Sequence, residues 1–251
     1  YPQMKILVCI SHVPDTTSKI NFTNNNTEFD SNGITFVINP YDEFGLTRAM
    51  KLKEATGASI TVVNVGPVST EPTLRKALAI GADDAVRIDA EPTDAAFVAR
   101  LIADFAKDQN YDLIITGRES IDYNGGVVPG MLAAYLDMPF VNACIGLELD
   151  GTKATVIREI DGGKETLEGN LPMLLAGQKG LVDEKELRIP AMRGIMMARK
   201  KPLTAIAAGE ATKQTSVVSF ELPEAKAACT MIDAGNVEQL VELLHTEAKV
   251  I

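Results

Sequence analysis

The sequence predicts an α/β fold: a doubly wound, mostly parallel sheet with a β-hairpin extension and a late amphipathic helix. Three observations predict it. Short apolar runs alternate with helical-period segments from residue 5 to residue 145. Those runs are apolar at consecutive positions rather than alternate ones, which marks strands covered on both faces. After residue 145 the rhythm changes to alternating segments punctuated by Asp150-Gly151 and Asp161-Gly162-Gly163, the chemistry of antiparallel hairpins.

Lys5–Ile10 (KILVCI) is the first buried strand. His12–Asn39 is polar and irregular; its NFTNNNTEFDSNG stretch is turn-rich and leads into Ile34–Ile38, a short edge strand. Asn39-Pro40 punctuates the chain before a helix over Tyr41–Thr56. Asp42 sits in the first turn of that helix, Phe44, Leu46, Ala49, Met50 and Leu52 supply its apolar positions, and Gly57 ends it. Ser59–Val65 (SITVVNV) is the second buried strand, closed by Gly66-Pro67. Glu71–Ile80 is a helix ended by Gly81, and Asp84–Ile88 is the third strand. Thr93–Asp108 is a helix with Phe97, Leu101, Ile102 and Phe105 on one face. Asp112–Thr116 is the fourth strand, Val127–Leu136 the helix after it, and Phe140–Ile145 the fifth strand.

Leu147–Leu149, Lys153–Ile160 and Glu165–Glu168 follow as antiparallel strands, and Leu171–Ala176 as a further apolar strand. Gln178–Lys201 is mixed and closes on the basic run Arg199-Lys200-Lys201. Pro202–Phe220 reads as a connector. Asn236–Glu247 is a short amphipathic helix with Val237, Leu240, Val241 and Leu244 on one face. That helix either docks on a partner or packs on its own domain. The expected division is therefore residues 4–200 as one α/β domain, including the hairpin region 147–176 and the segment 183–201, followed by connector and helix over 202–251.

Composition narrows the function classes. Hydrophobic residues make up 46% of the chain and charged residues 23%, ordinary for a globular protein. A net charge of −10 argues against nucleic acid as a main partner and against an anionic membrane surface. No apolar run approaches the roughly 20 residues a membrane-spanning helix needs, and no charged n-region precedes an apolar h-region. Cys9, Cys144 and Cys229 are few and far apart, which fits a reducing compartment and no metal site. Tyr1-Pro2-Gln3 ahead of Met4 reads as a cloning remnant, with Met4 the natural start.

The stretch DLIITGRESIDYNGGVVPGMLAAYLDMP, Asp112 to Pro139, carries the chemistry. A strand feeds Gly117, a polar loop with Asp122 and the pair Gly125-Gly126, and then a helix. Small residues let the backbone approach a phosphate, and free N–H groups with the helix dipole favour an anion. No GxxxxGK[ST] is present, so the loop is built to hold a nucleotide rather than hydrolyse it. Ligands of such sheets bind at the carboxyl ends of the strands. His12–Asp15, Asn39–Asp42, Val65–Gly66 and Gly117–Gly126 are therefore expected to converge on one Rossmann-like, adenine-nucleotide-binding cleft.

These residues resemble a known family. Val156-Ile157-Arg158-Glu159-Ile160-Asp161-Gly162-Gly163-Lys164-Glu165-Thr166-Leu167, running on to Pro172-Met173-Leu174-Leu175-Ala176, is similar to the signature of the beta subunit of electron transfer flavoprotein. Val8, Val13, Asp15, Asn39-Pro40, Gly66-Pro67 and Ala77-Leu78-Ala79-Ile80-Gly81-Ala82-Asp83 follow the same template. So do Gly117, Ile121-Asp122, Leu136-Asp137-Met138-Pro139 and Gly194-Ile195-Met196-Met197-Ala198-Arg199-Lys200-Lys201. The resemblance covers nearly the whole chain in order.

The resemblance implies an electron carrier that catalyses nothing alone. The beta subunit pairs with an alpha subunit, the heterodimer holds FAD mostly through that alpha subunit, and a buried AMP lies in the beta subunit. Electrons come from acyl-CoA and other flavin dehydrogenases of fatty acid oxidation and leave to a quinone oxidoreductase. The setting implied is cytoplasmic in a bacterium or the mitochondrial matrix in a eukaryote. Carried over by position, AMP contacts fall on Cys9, Asn39, Pro40, Tyr41, Asp42 and Val65. They continue through Gly117, Arg118, Glu119, Ser120, Ile121, Asp122, Tyr123, Asn124, Gly125, Gly126, Val127 and Val128. Asn39 and Asp42 can hydrogen-bond an adenine edge or ribose. The family often has polar residues at positions 126–128; here Gly126-Val127-Val128 leave the phosphate to backbone N–H groups. Glu119 must point away from a phosphate or pair with Arg118.

Thr16 and Tyr41 fall nearest the flavin, and Tyr41 is alternatively a core tyrosine at the helix start. Met192 and Ile195 fall on the dehydrogenase-recognition segment, where a flexible, polarizable side chain suits varied partners; the alternative is that Met192, Ile195, Met196 and Met197 are core. His12 reads as a histidine at a subunit interface and His245 as a surface residue. Two other functions stay open: a flavin-bifurcating relative with a second FAD in place of AMP and NADH oxidation, and a stand-alone nucleotide sensor of the universal-stress type.

Overall fold

A computed structural model describes residues 3–251; Tyr1 and Pro2 of the expected remnant lie outside the described residues. In chain order the first elements are strands β1 (Lys5–Cys9), β2 (His12–Pro14), β3 (Phe22–Thr23), β4 (Glu28–Phe29) and β5 (Phe36–Ile38), then helix α1 (Pro40–Thr56) and β6 (Ser59–Val65). Next come α2 (Glu71–Ile80), β7 (Asp84–Asp89), α3 (Ala95–Ala106), β8 (Leu113–Gly117), α4 (Val128–Tyr135) and β9 (Phe140–Asp150). The chain closes with β10 (Lys153–Ile160), β11 (Gly163–Asn170), β12 (Met173–Gly177), α5 (Met192–Ala198), β13 (Leu203–Ala207) and α6 (Val237–Thr246).

The main sheet has nine strands in the order β11-β10-β9-β12-β8-β1-β6-β7-β13. From β9 through β13 every pair is parallel, while β9, β10 and β11 are antiparallel. Alternating side chains of each central strand feed two cores. Ile6, Val8, Leu113 and Ile115 pack with Leu46, Leu74 and Leu78 of α1 and α2. Leu7, Cys9, Val63 and Ile114 pack with Phe97, Leu101 and Leu132 of α3 and α4. Helices on both faces of a parallel sheet make it doubly wound, as the uninterrupted apolar runs require.

Two sequence readings are corrected. Phe140–Ile145 and Leu147–Leu149 are not separate strands but the single strand β9. Its start pairs parallel with β12 and its later part antiparallel with β10. Gly146 lies within the strand, with the Ile157 side chain 3.3 Å from where its Cβ would stand. The connector Pro202–Phe220 contains β13, which pairs with β7 from Leu203↔Ala85 to Ala207↔Asp89 and forms the sheet's edge. The short strand expected over Ile34–Ile38 exists as β5, in a separate ribbon with β2.

The connector is then pinned to the domain. Asp94 caps α3 by accepting the Phe97 N–H at 2.8 Å, and its other oxygen accepts from the Gln214 N–H, the Thr215 N–H and the Thr215 hydroxyl. These bonds, the one from Phe97 foremost, hold the Asp94 carboxyl down at about 2. Further along, the Phe220 ring stacks on Phe22 at 4.7 Å, beside a β3–β4 hairpin whose Asn24, Asn25 and Asn26 all have positive φ. Asparagine tolerates that conformation because its side chain bonds locally.

Candidate nucleotide-binding site

The carboxyl ends of β1, β6 and β8 open onto one side of the domain, and buried polar residues of α1 tie their loops together. Asn39 precedes α1, with Pro40 at the first helical position. Its side chain is fully buried: the amide nitrogen donates to the Glu119 carbonyl at 2.9 Å and the amide oxygen accepts from the Ile121 N–H at 3.1 Å. The Asp42 carboxylate accepts from the Ser11 N–H at 2.7 Å and the Gly117 N–H at 2.8 Å. Both side chains are thus engaged with the surrounding loops. Their polar atoms bind the loops at 9–12 and 117–121 to each other and form the floor of the site.

That floor has an electrostatic consequence. Burial pushes the Asp42 carboxyl up to about 7, the bonds from Ser11, Asn39 and Gly117 oppose the rise, and the Asp122 charge adds to it. Burial also pushes the Cys9 thiol well above its ordinary value, with the Asp42 charge adding.

The loop itself is exposed from Asp122 to Val127, with Gly117 buried at its root and Arg118, Glu119, Ser120 and Ile121 half-buried. Asn124 at φ +52° and Gly126 at φ +63° turn the backbone. α4 starts at Val128 with no side chain capping it; Pro129 has no N–H, so the free main-chain donors of the first turn are those of Val128 and Gly130. The Arg118 guanidinium donates to Gln178 Oε1 at 2.9 Å and lies 5.9 Å over the Tyr41 ring. Its other nitrogen stands 3.9 Å from Glu119, whose carboxylate also accepts from Asn124 Nδ2 at 3.3 Å. Glu119 is thus paired with Arg118 and Asn124 and lies beneath Gly126.

These features fit an adenine nucleotide held by main-chain donors. Cys9 and Val65 are buried on the α3/α4 face, on the same side as Thr116. The Thr116 hydroxyl is buried with no hydrogen-bond partner among the described residues. Thr116 and Gln178 were missed in the sequence. Thr116 is the last residue of a continuous apolar run, and a polar residue there was the available signal. Gln178, whose amide donates to Glu159, lies far away in sequence and nothing local marked it.

Tyr41 is half-buried at the start of α1 and Thr16 lies on an exposed turn after β2. Met192 is 76% exposed, Ile195 44% and Met196 65%, which removes the reading of these residues as core. α6 buries none of its residues: Val237, Leu240 and Val241 are exposed and Leu244 is half-buried. His12 stacks on Phe36 at 4.3 Å and bonds Thr73 at 2.8 Å within the same chain, and burial lowers its pKa. His245 is exposed, as expected. Among the described residues no helix is long and apolar enough to cross a membrane.

Residues 27–211 match the electron transfer flavoprotein domain. The chain belongs to the electron transfer flavoprotein family. It is 36% identical to the electron transfer flavoprotein subunit beta of Bacillus subtilis (strain 168) over 262 aligned residues, covering 99% of this chain and 100% of that one. It is 36% identical to the same subunit of Syntrophomonas wolfei subsp. wolfei over 92% of this chain and 90% of that one. It is 31% identical to the Homo sapiens subunit over 92% and 93% of the two chains. Electron transport by a flavoprotein is the family's role, and a beta subunit implies an alpha partner. The match runs through the hairpin region built by β9, β10 and β11, which a universal-stress type sensor does not explain.

Proposed function

We propose that this chain is the beta subunit of a heterodimeric electron transfer flavoprotein that binds AMP structurally and helps enclose an FAD held mainly by the alpha subunit. The observation that carries the nucleotide reading is the loop of residues 117–128, set between β8 and the uncapped start of α4 on a floor tied by Asn39 and Asp42. Main-chain N–H groups there hold the phosphate, since Val127 and Val128 have no polar side chain to offer. Arg118 offsets the charge of Glu119. Cys9 and Val65 supply the apolar wall.

An FAD held mainly by the alpha subunit would supply the redox chemistry between acyl-CoA or other flavin dehydrogenases and a quinone oxidoreductase. The chain's own residues position and dock. Tyr41 and Thr16 face the flavin side, Met192 and Ile195 meet the dehydrogenase, and the apolar face of α6 seats the alpha subunit. Alone, the chain catalyses nothing.

Co-expression with the alpha subunit, followed by denaturing release and separate quantification of FAD and AMP, tests this. One FAD and one AMP per heterodimer are expected. Two FAD and no AMP would make the chain a bifurcating relative. A stable monomer that takes up neither the alpha subunit nor flavin would overturn the proposal.

A further inference from the structure

α5 presents a puzzle of stability. It has seven residues, and only Ala198 is buried. A helix that short does not persist by its own hydrogen bonds, and apolar burial does not hold it. On one flank an open cleft of about 910 Å³, lined in part by Val68, Pro72, Pro190 and Ile195, runs between it and α2. Yet it carries the exposed apolar side chains Met192, Ile195, Met196 and Met197.

Three contacts at its inner side and its end fix it. The Arg75 guanidinium, projecting from α2, donates to the Ala198 carbonyl at 2.8 Å and the Lys201 carbonyl at 2.7 Å. In return the Lys201 ammonium donates to the Leu78 carbonyl at 2.9 Å and the Ala82 carbonyl at 2.7 Å, at the end of α2. Each cation thus satisfies carbonyls at the C-terminus of the other helix, where the helix dipole favours positive charge. Between them, Gly194 lies against the backbone of Ala79 so closely that a Cβ would collide with the Ala79 carbonyl oxygen. Both Arg75 bonds come from one guanidinium nitrogen, Nη1, which bridges the two carbonyls.

We propose that Arg75, Lys201 and Gly194 are positioning residues that lock α5 onto α2 and so set the pose in which Met192 and Ile195 meet a flavin dehydrogenase. The inference rests on the docking role proposed above for Met192 and Ile195. The clamp orders the segment before the partner arrives, so docking loses less conformational freedom.

The test uses the FAD-loaded heterodimer as electron acceptor for an acyl-CoA dehydrogenase, with heterodimer concentration varied. Arg75→Met and Gly194→Ala should raise KM for the heterodimer by roughly fivefold or more, the scale of losing a residue that supports an interface contact. Saturated turnover should stay within about twofold, and FAD content and flavin spectrum should be unchanged. Arg75→Lys, which keeps a cation and the packing of the stem, should give an intermediate KM. Amide exchange over Met192–Ala198 should be faster in both Arg75 variants, with α1 unchanged. Met192→Glu serves as the docking control. If it raises KM while Arg75→Lys and Gly194→Ala match the parent in KM and exchange, the clamp is overturned and the docking role stands. If Met192→Glu leaves KM unchanged, the docking role is overturned and the clamp's purpose with it.

Discussion

Asp42 and Gly117 are matched to each other: the Asp42 carboxylate accepts the Gly117 N–H at 2.8 Å, and a Cβ on Gly117 would collide with that same oxygen. The hydrogen bond that anchors the loop over 117–128 therefore exists only because residue 117 has no side chain. Tyr41 Cβ, 2.8 Å from the same point, closes the space from the other side. Gly117→Ala should destabilise the chain by about 1–3 kcal/mol, the range for an inserted methyl in a packed site. It should also lower the AMP recovered from the heterodimer. Urea unfolding and nucleotide release read the two effects.

Asp42 also gives the site a pH dependence. Its folded-state pKa of about 7 lies above the ordinary carboxylate value. Between about 3.9, its value in the unfolded chain, and the folded value, the folded chain keeps a proton that the unfolded chain has released. The stability this group contributes is therefore fully present below that window and falls as pH rises through it. Asp42→Asn removes the titration and sets an amide donor against the Ser11 or Gly117 N–H, which should cost about 1–3 kcal/mol. The parent's advantage over the variant should be larger at about pH 5 than at about pH 8. Urea midpoints at both values decide, and an advantage that grows with pH would refute the assignment.

Glu119 lies beneath the loop turn, its carboxylate 3.9 Å from where a Cβ of Gly126 would stand. Glu119→Gln should tighten AMP binding by about two- to fivefold, the worth of a partly exposed charge pair. The gain should shrink as salt is added, because screening weakens the repulsion it relieves. Arg118→Gln should move affinity the other way. Calorimetric titration of nucleotide-depleted heterodimer at two ionic strengths measures both.

The C-terminal helix should separate assembly from folding. Leu240 and Val241 are exposed and α6 buries nothing, so Leu240→Glu should leave the isolated chain's stability within about 0.5 kcal/mol. Heterodimer formation should fall sharply, read by size-exclusion chromatography with the alpha subunit.

Thiol reactivity checks the cores directly. Cys229 is exposed, whereas Cys9 and Cys144 are buried, and burial pushes the Cys144 thiol up to about 11. A thiol reagent should label Cys229 promptly in the folded chain and reach the other two only after unfolding, because the thiolate is the reactive form.

The central strands and their helices are legible in the sequence because their signals are local. Leu113-Ile114-Ile115 is apolar at every position since both faces are covered, and Gly57 and Gly81 end α1 and α2 where an αL or otherwise positive φ is needed. The phosphate-type loop was legible for the same reason, as a strand, a run of small residues and a helix start in order. The family signature over 156–176 placed the rest.

What local pattern does not carry is which groups meet across long separations. Leu203–Ala207 has no strong strand signal; it is a strand because β7 offers an unpaired edge whose N–H and C=O groups need partners. β9 runs through Gly146 because β12 and β10 both pair with it. The bonds of Asn39 and Asp42 to the loops at Ser11, Gly117 and Glu119 are not marked in the local sequence and arise only when those loops close on them. The order of strands, helices and the nucleotide loop follows from periodicity and turn chemistry. The roles of Asp42, Asn39, Arg75 and Lys201 follow from burial. A polar group taken out of water must find a partner, and only the folded chain determines which one it finds.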